Sequence, residues 1–429
     1  MLQQYRKKIF TPDEALEVVK SGDHVYIHPG AATPKILVNA LSRRLKELEN
    51  VTILHIMTFG EAPYAAPEMA AHCRVSSLFT GANLRQAVNE GRADWTPIFL
   101  SEIPALFRNR SLPVDVALIH VSPPDEHGFC SFGVGVEITQ AAAKAAKTII
   151  ALVNRQMPRV HGDNFIHISK LDRIVEADMP VYELPRLELS EMHMRIGRNI
   201  ADLIKDGATL QMGIGGIPDA TLHYLKDKKD LGIHTEMFSD GVVELTEKGI
   251  INGERKTLHP GKVVASFVMG TKYVYDFIAD NPFIEFHPSD YVNDPFIIAK
   301  NDNMVAINSA IEVDLTGQVC ADSIGHKNYS GIGGQVDFIR GAAHSKNGKP
   351  IIALPSTAKK GTVSRIVAEL RPGAAVTTSR GDVHYIVTEY GVAQLHGKCL
   401  RERAQQLINI AHPKFRDELK FQAKKIGLI

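Results

Sequence analysis

The sequence predicts an α/β protein made of two related, open, mostly parallel α/β halves. Two observations lead there. Short apolar strand patterns alternate with helical ones, the mark of a parallel sheet covered by crossover helices. A set of landmarks also recurs in the same order. Gly22, Gly30 and Pro34 return as Gly207, Gly215 and Pro218, an offset of about 185. Asp125 and Gly128 return as Asp314 and Gly317, and Lys147–Leu152 returns as Lys349–Leu354. A chain of 429 residues has room for two domains.

The elements follow in order. Thr11 reads as an N-cap, with Pro12 at the first helical position and Asp13 and Glu14 in the first turn. His24–His28 is an apolar strand ending in a Gly/Pro turn. Residues 35–48 carry an amphipathic helical pattern, and residues 51–56 and 114–121 read as buried strands. Residues 137–147, rich in Ala and Lys, predict a helix, and 148–153 a strand. Pro180, Pro185 and a charged stretch then interrupt the pattern. The expected division is therefore a first domain of residues 1–185 and a second of residues 186–429. The second half opens with a helix at 188–205 and a strand at 208–212. Further strands are expected at 262–269, 304–311, 350–354 and 384–388.

Hydrophobic residues make up 44% and charged residues 23%, an ordinary globular balance. A net charge of +1 provides no general attraction to nucleic acid or anionic membranes, so neither is an expected partner. Any anionic ligand must be held by local groups. Cys73, Cys130, Cys320 and Cys399 form no CxxC pair and no zinc spacing. The 18 histidines make no HExxH pair, and no metal site is expected. There is no GxSxG elbow. Residues 1–20 show no apolar signal core, and no apolar run is long enough to span a membrane, so the expected location is cytoplasmic.

Four segments, all in the second half, carry residues suited to chemistry. Gly213-Ile214-Gly215-Gly216-Ile217-Pro218-Asp219-Ala220 joins a strand to a helix. Its glycines let a ligand approach the backbone, and the helix start offers free N–H groups to an anion or carbonyl oxygen. It lacks the third glycine of a dinucleotide fingerprint, and a tight turn without a ligand would read the same. Thr235-Glu236-Met237-Phe238 sets a lone glutamate among apolar neighbours, where it can serve as base, metal ligand or nucleophile. Gly331-Ile332-Gly333-Gly334-Gln335 is a second glycine cluster implying close backbone approach or left-handed φ. Ser356-Thr357-Ala358-Lys359-Lys360-Gly361 follows a buried strand and offers hydroxyls and two ammonium groups, suited either to phosphate or to an exposed basic turn.

Taken together with Ile307-Asn308-Ser309-Ala310-Ile311-Glu312-Val313-Asp314, these motifs resemble the acetyl-CoA hydrolase/transferase family of class I CoA-transferases. Within it they most resemble the 4-hydroxybutyrate and butyryl-CoA:acetate branch. The resemblance covers nearly the whole chain, in order. It implies two related α/β domains with the active site between them. Its implied substrates are a short-chain acyl-CoA and a small carboxylic acid, with no cofactor beyond the substrate coenzyme A. A homo-oligomer, dimer or tetramer, is also implied. Carried over residue by residue, Glu236 matches the family's nucleophile. Gly213, Ile214, Gly215, Gly216 and Ile217 match a CoA-contacting turn. Gly331 and Gly333 fall in the second CoA-contacting glycine cluster, where the Gly334 N–H contributes to an oxyanion hole. Asn293 falls where relatives place an amide near the thioester, and Lys359 and Lys360 where CoA phosphates lie. The implied reaction is ping-pong transfer through an acyl-glutamyl anhydride and a glutamyl-CoA thioester, with hydrolysis on the same site as the alternative.

Overall fold

Thr11 opens a helix as its sequence predicts. The hydroxyl accepts from the Glu14 N–H, and the Glu14 carboxylate accepts from the Thr11 N–H at 2.9 Å, closing a capping box on α1 (Pro12–Leu16). The computed structural model describes residues 5–429. They group into two units. The first holds the chain to Leu184 together with Ala265–Val292 and Asn328–Gly331. The second holds Pro185–Val264, Asn293–Lys327 and Ile332–Ile429.

In the first unit the strands are β1 (His24–Ile27), β2 (Val51–His55), β3 (Cys73–Ser77), β4 (Ala93–Trp95), β5 (Val116–Val121), β6 (Thr148–Asn154) and β7 (Arg173–Ala177). They form one sheet in the order β7-β6-β5-β1-β2-β3-β4, parallel throughout. Helices α2 (Lys35–Leu45) and α3 (Thr139–Ala145) are among the crossovers. The core is aliphatic, with Val25, Ile27, Leu37, Leu41, Ile53 and Leu118 fully buried. Strand β5 is buried at every position, as expected of a strand covered on both faces.

The second unit begins with α4 (Glu191–Ala201), β8 (Thr209–Met212), α5 (Gly216–His223), β9 (Gly232–His234), α6 (Asp240–Glu247) and β10 (Val263–Ala265). It continues with β11 (Met304–Ser309), α7 (Gln335–His344), β12 (Lys349–Ala353), β13 (Tyr385–Thr388) and β14 (Gly391–Gln394). Helices α8 (Leu400–Ile410) and α9 (Pro413–Lys425) close the chain. The strands run β14-β13-β12-β11-β8-β9-β10, parallel except for the β13–β14 hairpin.

The topology therefore repeats. In each unit the first strand is central, the next strands add on one side, and the chain then crosses to build the other side. The repeat reaches individual hydrogen bonds. Asp125 Oδ1 accepts from the N–H groups of His127 and Phe129 at 2.9 and 2.8 Å. Asp314 Oδ1 accepts from those of Thr316 and Gln318 at 2.9 and 3.0 Å. Each turn closes on a left-handed glycine, Gly128 (φ 85°) or Gly317 (φ 93°).

One expected strand divides. Residues 262–269 form β10 and a separate short strand, Phe267–Val268, and the segment Ala265–Val292 packs with the first unit. The Val136 N–H donates to the Ser266 carbonyl and the Val268 N–H to the Val134 carbonyl, at 3.0 and 2.8 Å. Among the described residues, no helix is long and apolar enough to cross a membrane.

Candidate active site

Strand order in the second unit reverses at β8, which has β9 on one side and β11 on the other. In open parallel sheets the carboxyl ends of the strands at such a point leave a crevice that takes ligands. Two segments singled out from the sequence leave the sheet there. Gly213–Gly215 follows β8, and Thr235-Glu236 follows β9.

The Glu236 carboxylate accepts a hydrogen bond from the Asn293 side-chain amide at 2.9 Å. The backbone N–H of Gly334 also favours its charged form. Gly334 is the N-cap of α7, so the carboxylate faces a helix N-terminus, where free N–H groups and the helix dipole favour negative charge. A Cβ on Gly334 would overlap both Glu236 Oε2 and Asn293 Nδ2, so glycine is required by closeness of approach. Glu236 keeps some contact with solvent, yet desolvation dominates its titration. Burial pushes its pKa from 4.5 up to about 7, and the Asn293 and Gly334 donors pull against that rise. Asn293 itself is fully buried, and its carbonyl Oδ1 has no hydrogen-bond partner.

The Gly213–Gly215 part of the turn is open toward solvent. A Cβ at Gly213 or Gly215 would meet nothing within 4 Å. Gly215 holds φ 112° as the N-cap of α5, a conformation that disfavours other residues. Ile214 is partly exposed, whereas Ile217 is buried and Gly216 lies against the His193 ring. The second glycine cluster has mixed duties. Gly331 packs on Phe79 within the first unit, Gly333 (φ 59°) makes a left-handed turn, and Gly334 meets Glu236. Lys359 and Lys360 stand at the exposed tip of a hairpin between Thr357–Ala358 and Val363–Ser364. Both take left-handed φ, 49° and 55°. The structure thus brings Glu236, Asn293 and Gly334 together and leaves the lysines on their own turn. Asp240 and Glu244, the other carboxylates near Glu236 in sequence, pair instead with Arg186.

The model of the acetyl-CoA hydrolase/transferase N-terminal domain matches residues 1–184, and that of the C-terminal domain matches residues 270–423. The chain belongs to the acetyl-CoA hydrolase/transferase family. Among curated members, the 4-hydroxybutyrate coenzyme A transferase of Clostridium kluyveri is 55% identical over 98% of each chain. The butyryl-CoA:acetate CoA-transferase of Anaerostipes caccae is 41% identical over 99% of this chain and 97% of its own. The crystal structure of a 4-hydroxybutyrate CoA-transferase from Porphyromonas gingivalis superposes with a TM-score of 0.85 at 47% identity, covering 99% of both chains.

Within this acetyl-CoA hydrolase/transferase fold, one feature of the Glu236 segment escaped the sequence. Thr235 is 1% exposed, and its hydroxyl is bonded to the end of β8. Nothing in the pattern of residues distinguishes such a threonine from an ordinary strand residue. His28 also has a role that its position at the end of β1 did not reveal. Its Nε2–H donates to the Gly135 carbonyl at 2.8 Å and its Nδ1 accepts from the His120 N–H at 3.1 Å. Burial pushes its pKa down to about 3, so the ring is a neutral structural link.

Proposed function

We propose that the chain moves CoA from a short-chain acyl-CoA to a carboxylic acid such as acetate through covalent intermediates on Glu236. The chain is a CoA-transferase, an activity carried in the names of its full-length relatives. The observation that carries the mechanism is the Glu236 carboxylate, desolvated to a pKa of about 7 and held between two N–H donors at a helix N-terminus.

The Glu236 carboxylate attacks the thioester carbonyl. The tetrahedral adduct collapses to a mixed acyl-glutamyl anhydride and releases CoA thiolate. The thiolate then attacks the glutamyl carbonyl, forming a glutamyl-CoA thioester and freeing the first acid. A second carboxylate attacks that thioester, and the returning thiolate takes the new acyl group, restoring Glu236. The Gly334 N–H and the Asn293 amide are suited to the oxyanion that forms on the glutamyl carbon. A donor of this kind contributes about 3–4 kcal/mol. Desolvation makes the carboxylate a stronger nucleophile than it is in water, and binding of the remote CoA nucleotide can offset that cost. The open Gly213–Gly215 backbone is assigned to the pantetheine arm, and Lys359 with Lys360 to the phosphates. Thioester energy is conserved, so the scheme needs no ATP.

Intact-protein mass after mixing with butyryl-CoA tests this. A CoA-sized adduct is expected, discharged by acetate and absent from Glu236→Ala; borohydride should convert its glutamyl thioester to the primary alcohol and release the CoA. Free CoA accumulating without an adduct, at a rate indifferent to acetate, would mean that water is the acceptor. Full exchange activity in Glu236→Ala would remove Glu236 from the mechanism.

A further inference from the structure

We infer that Thr235 is a positioning residue: its hydroxyl fixes the backbone on both sides of Glu236 so that the carboxylate meets its two donors. This rests on Glu236 being the nucleophile.

The backbone around Glu236 is a short link between β9 and the Met237–Phe238 strand, and it has little regular structure of its own. The Thr235 side chain supplies the missing restraint. The Met212 N–H donates to Thr235 Oγ1 at 3.3 Å, tying the segment to the last residue of β8. The Thr235 O–H lies within reach of two carbonyls, Met237 at 2.8 Å and Met212 at 3.1 Å. The first of these closes a loop around Glu236 itself, since Thr235 and Met237 are its two chain neighbours. The Thr235 N–H donates to the Val264 carbonyl at 3.0 Å, anchoring the same residue to β10. One buried side chain therefore joins the ends of the adjacent strands β8 and β9 and sets where the next residue points.

The consequence is local. Without the hydroxyl, the Met212 N–H loses this acceptor, and the Glu236 backbone is freed to settle elsewhere. Displacement of a reacting group by about 1 Å costs on the order of 10²-fold in rate. Substrate binding elsewhere on the protein is untouched by this change, so the loss belongs in the chemical step.

Thr235→Val keeps the shape and removes the hydroxyl, whereas Thr235→Ser keeps the hydroxyl and removes the methyl. Formation of the glutamyl-CoA adduct is followed by rapid quench and intact mass over a range of butyryl-CoA concentrations, with thermal melts alongside. Thr235→Val is expected to slow adduct formation at saturation by about 10²-fold, with the half-saturating concentration within about twofold of the parent. Thr235→Ser is expected to return most of that rate. Adduct formation by Thr235→Val at the parent rate would overturn the inference. Equal losses in the valine and serine variants would also overturn it, because they would make the methyl group, and so packing, the cause. An adduct in Glu236→Ala would defeat the functional reading on which the inference stands, an outcome separate from either of these.

Discussion

Glu236 holds its negative charge where burial opposes it, and two N–H donors make that charge tolerable. Desolvation disfavours the carboxylate and raises its pKa to about 7, while Asn293 and Gly334 favour the charged form and restrain the rise. The sign of the pH dependence follows. Attack needs the carboxylate, so kcat/KM for acyl-CoA should be level above about pH 7 and fall about tenfold per unit below it. Asn293→Ala removes a donor to the charged form. Its acid limb should move to higher pH, with a loss of about 10²-fold or more on the plateau. A pH–rate profile of both proteins checks this, and a limb that stays in place or moves to lower pH would contradict it. The glutamate was legible in the sequence because its apolar neighbours are local. Its meeting with Asn293 was suggested only by the family resemblance and by no local pattern, because the two are 57 residues apart.

At the scale of elements, the two open glycines of the β8–α5 turn should behave differently. Gly215 holds φ 112°, so alanine there strains the fold itself by about 1–2 kcal/mol and should lower the melting temperature. Gly213 has no left-handed requirement and free space around it, so Gly213→Ala should melt with the parent. Its added methyl should instead raise KM for acyl-CoA if the turn carries the pantetheine arm, and an unchanged KM would remove that assignment. The Lys359–Lys360 tip poses the opposite trade. Lys359, Lys360 and Gly361 take positive φ in succession (49°, 55° and 84°), a conformation that suits glycine, so lysine at the first two places costs stability. A Lys359→Asn, Lys360→Gly double variant should gain about 1 kcal/mol in thermal melts. The same variant should bind acyl-CoA more weakly, yet handle a short pantetheine thioester as the parent does. Equal effects on both substrates would deny the lysines a phosphate role. These turn conformations were only partly legible: glycine announces a left-handed position, but lysine does not.

At the scale of the whole molecule, the order of residues and the composition of the units part company. The segment Ala265–Val292 lies in the second half of the sequence and packs with the first unit, burying Val268, Ile278, Phe286 and Val292. Within that unit the Tyr275 hydroxyl donates to the Tyr182 carbonyl at 2.6 Å, and the Ser289 hydroxyl to the Leu100 carbonyl at 3.0 Å. A fragment of residues 1–184 should therefore lack a cooperative thermal transition that the full chain shows; a sharp transition in the fragment, followed by circular dichroism, would contradict this. The sequence by itself determined the α/β class, the duplication and the candidacy of Glu236. Each follows from short-range causes: side-chain periodicity along strands and helices, glycine at left-handed turns, and apolar residues around one carboxylate. Only the tertiary structure decided that Asn293 and Gly334 meet Glu236, that Thr235 anchors it, and that the chain returns to the first unit at Ala265. Those depend on strand order, register and helix placement, which bring together residues that no local pattern connects.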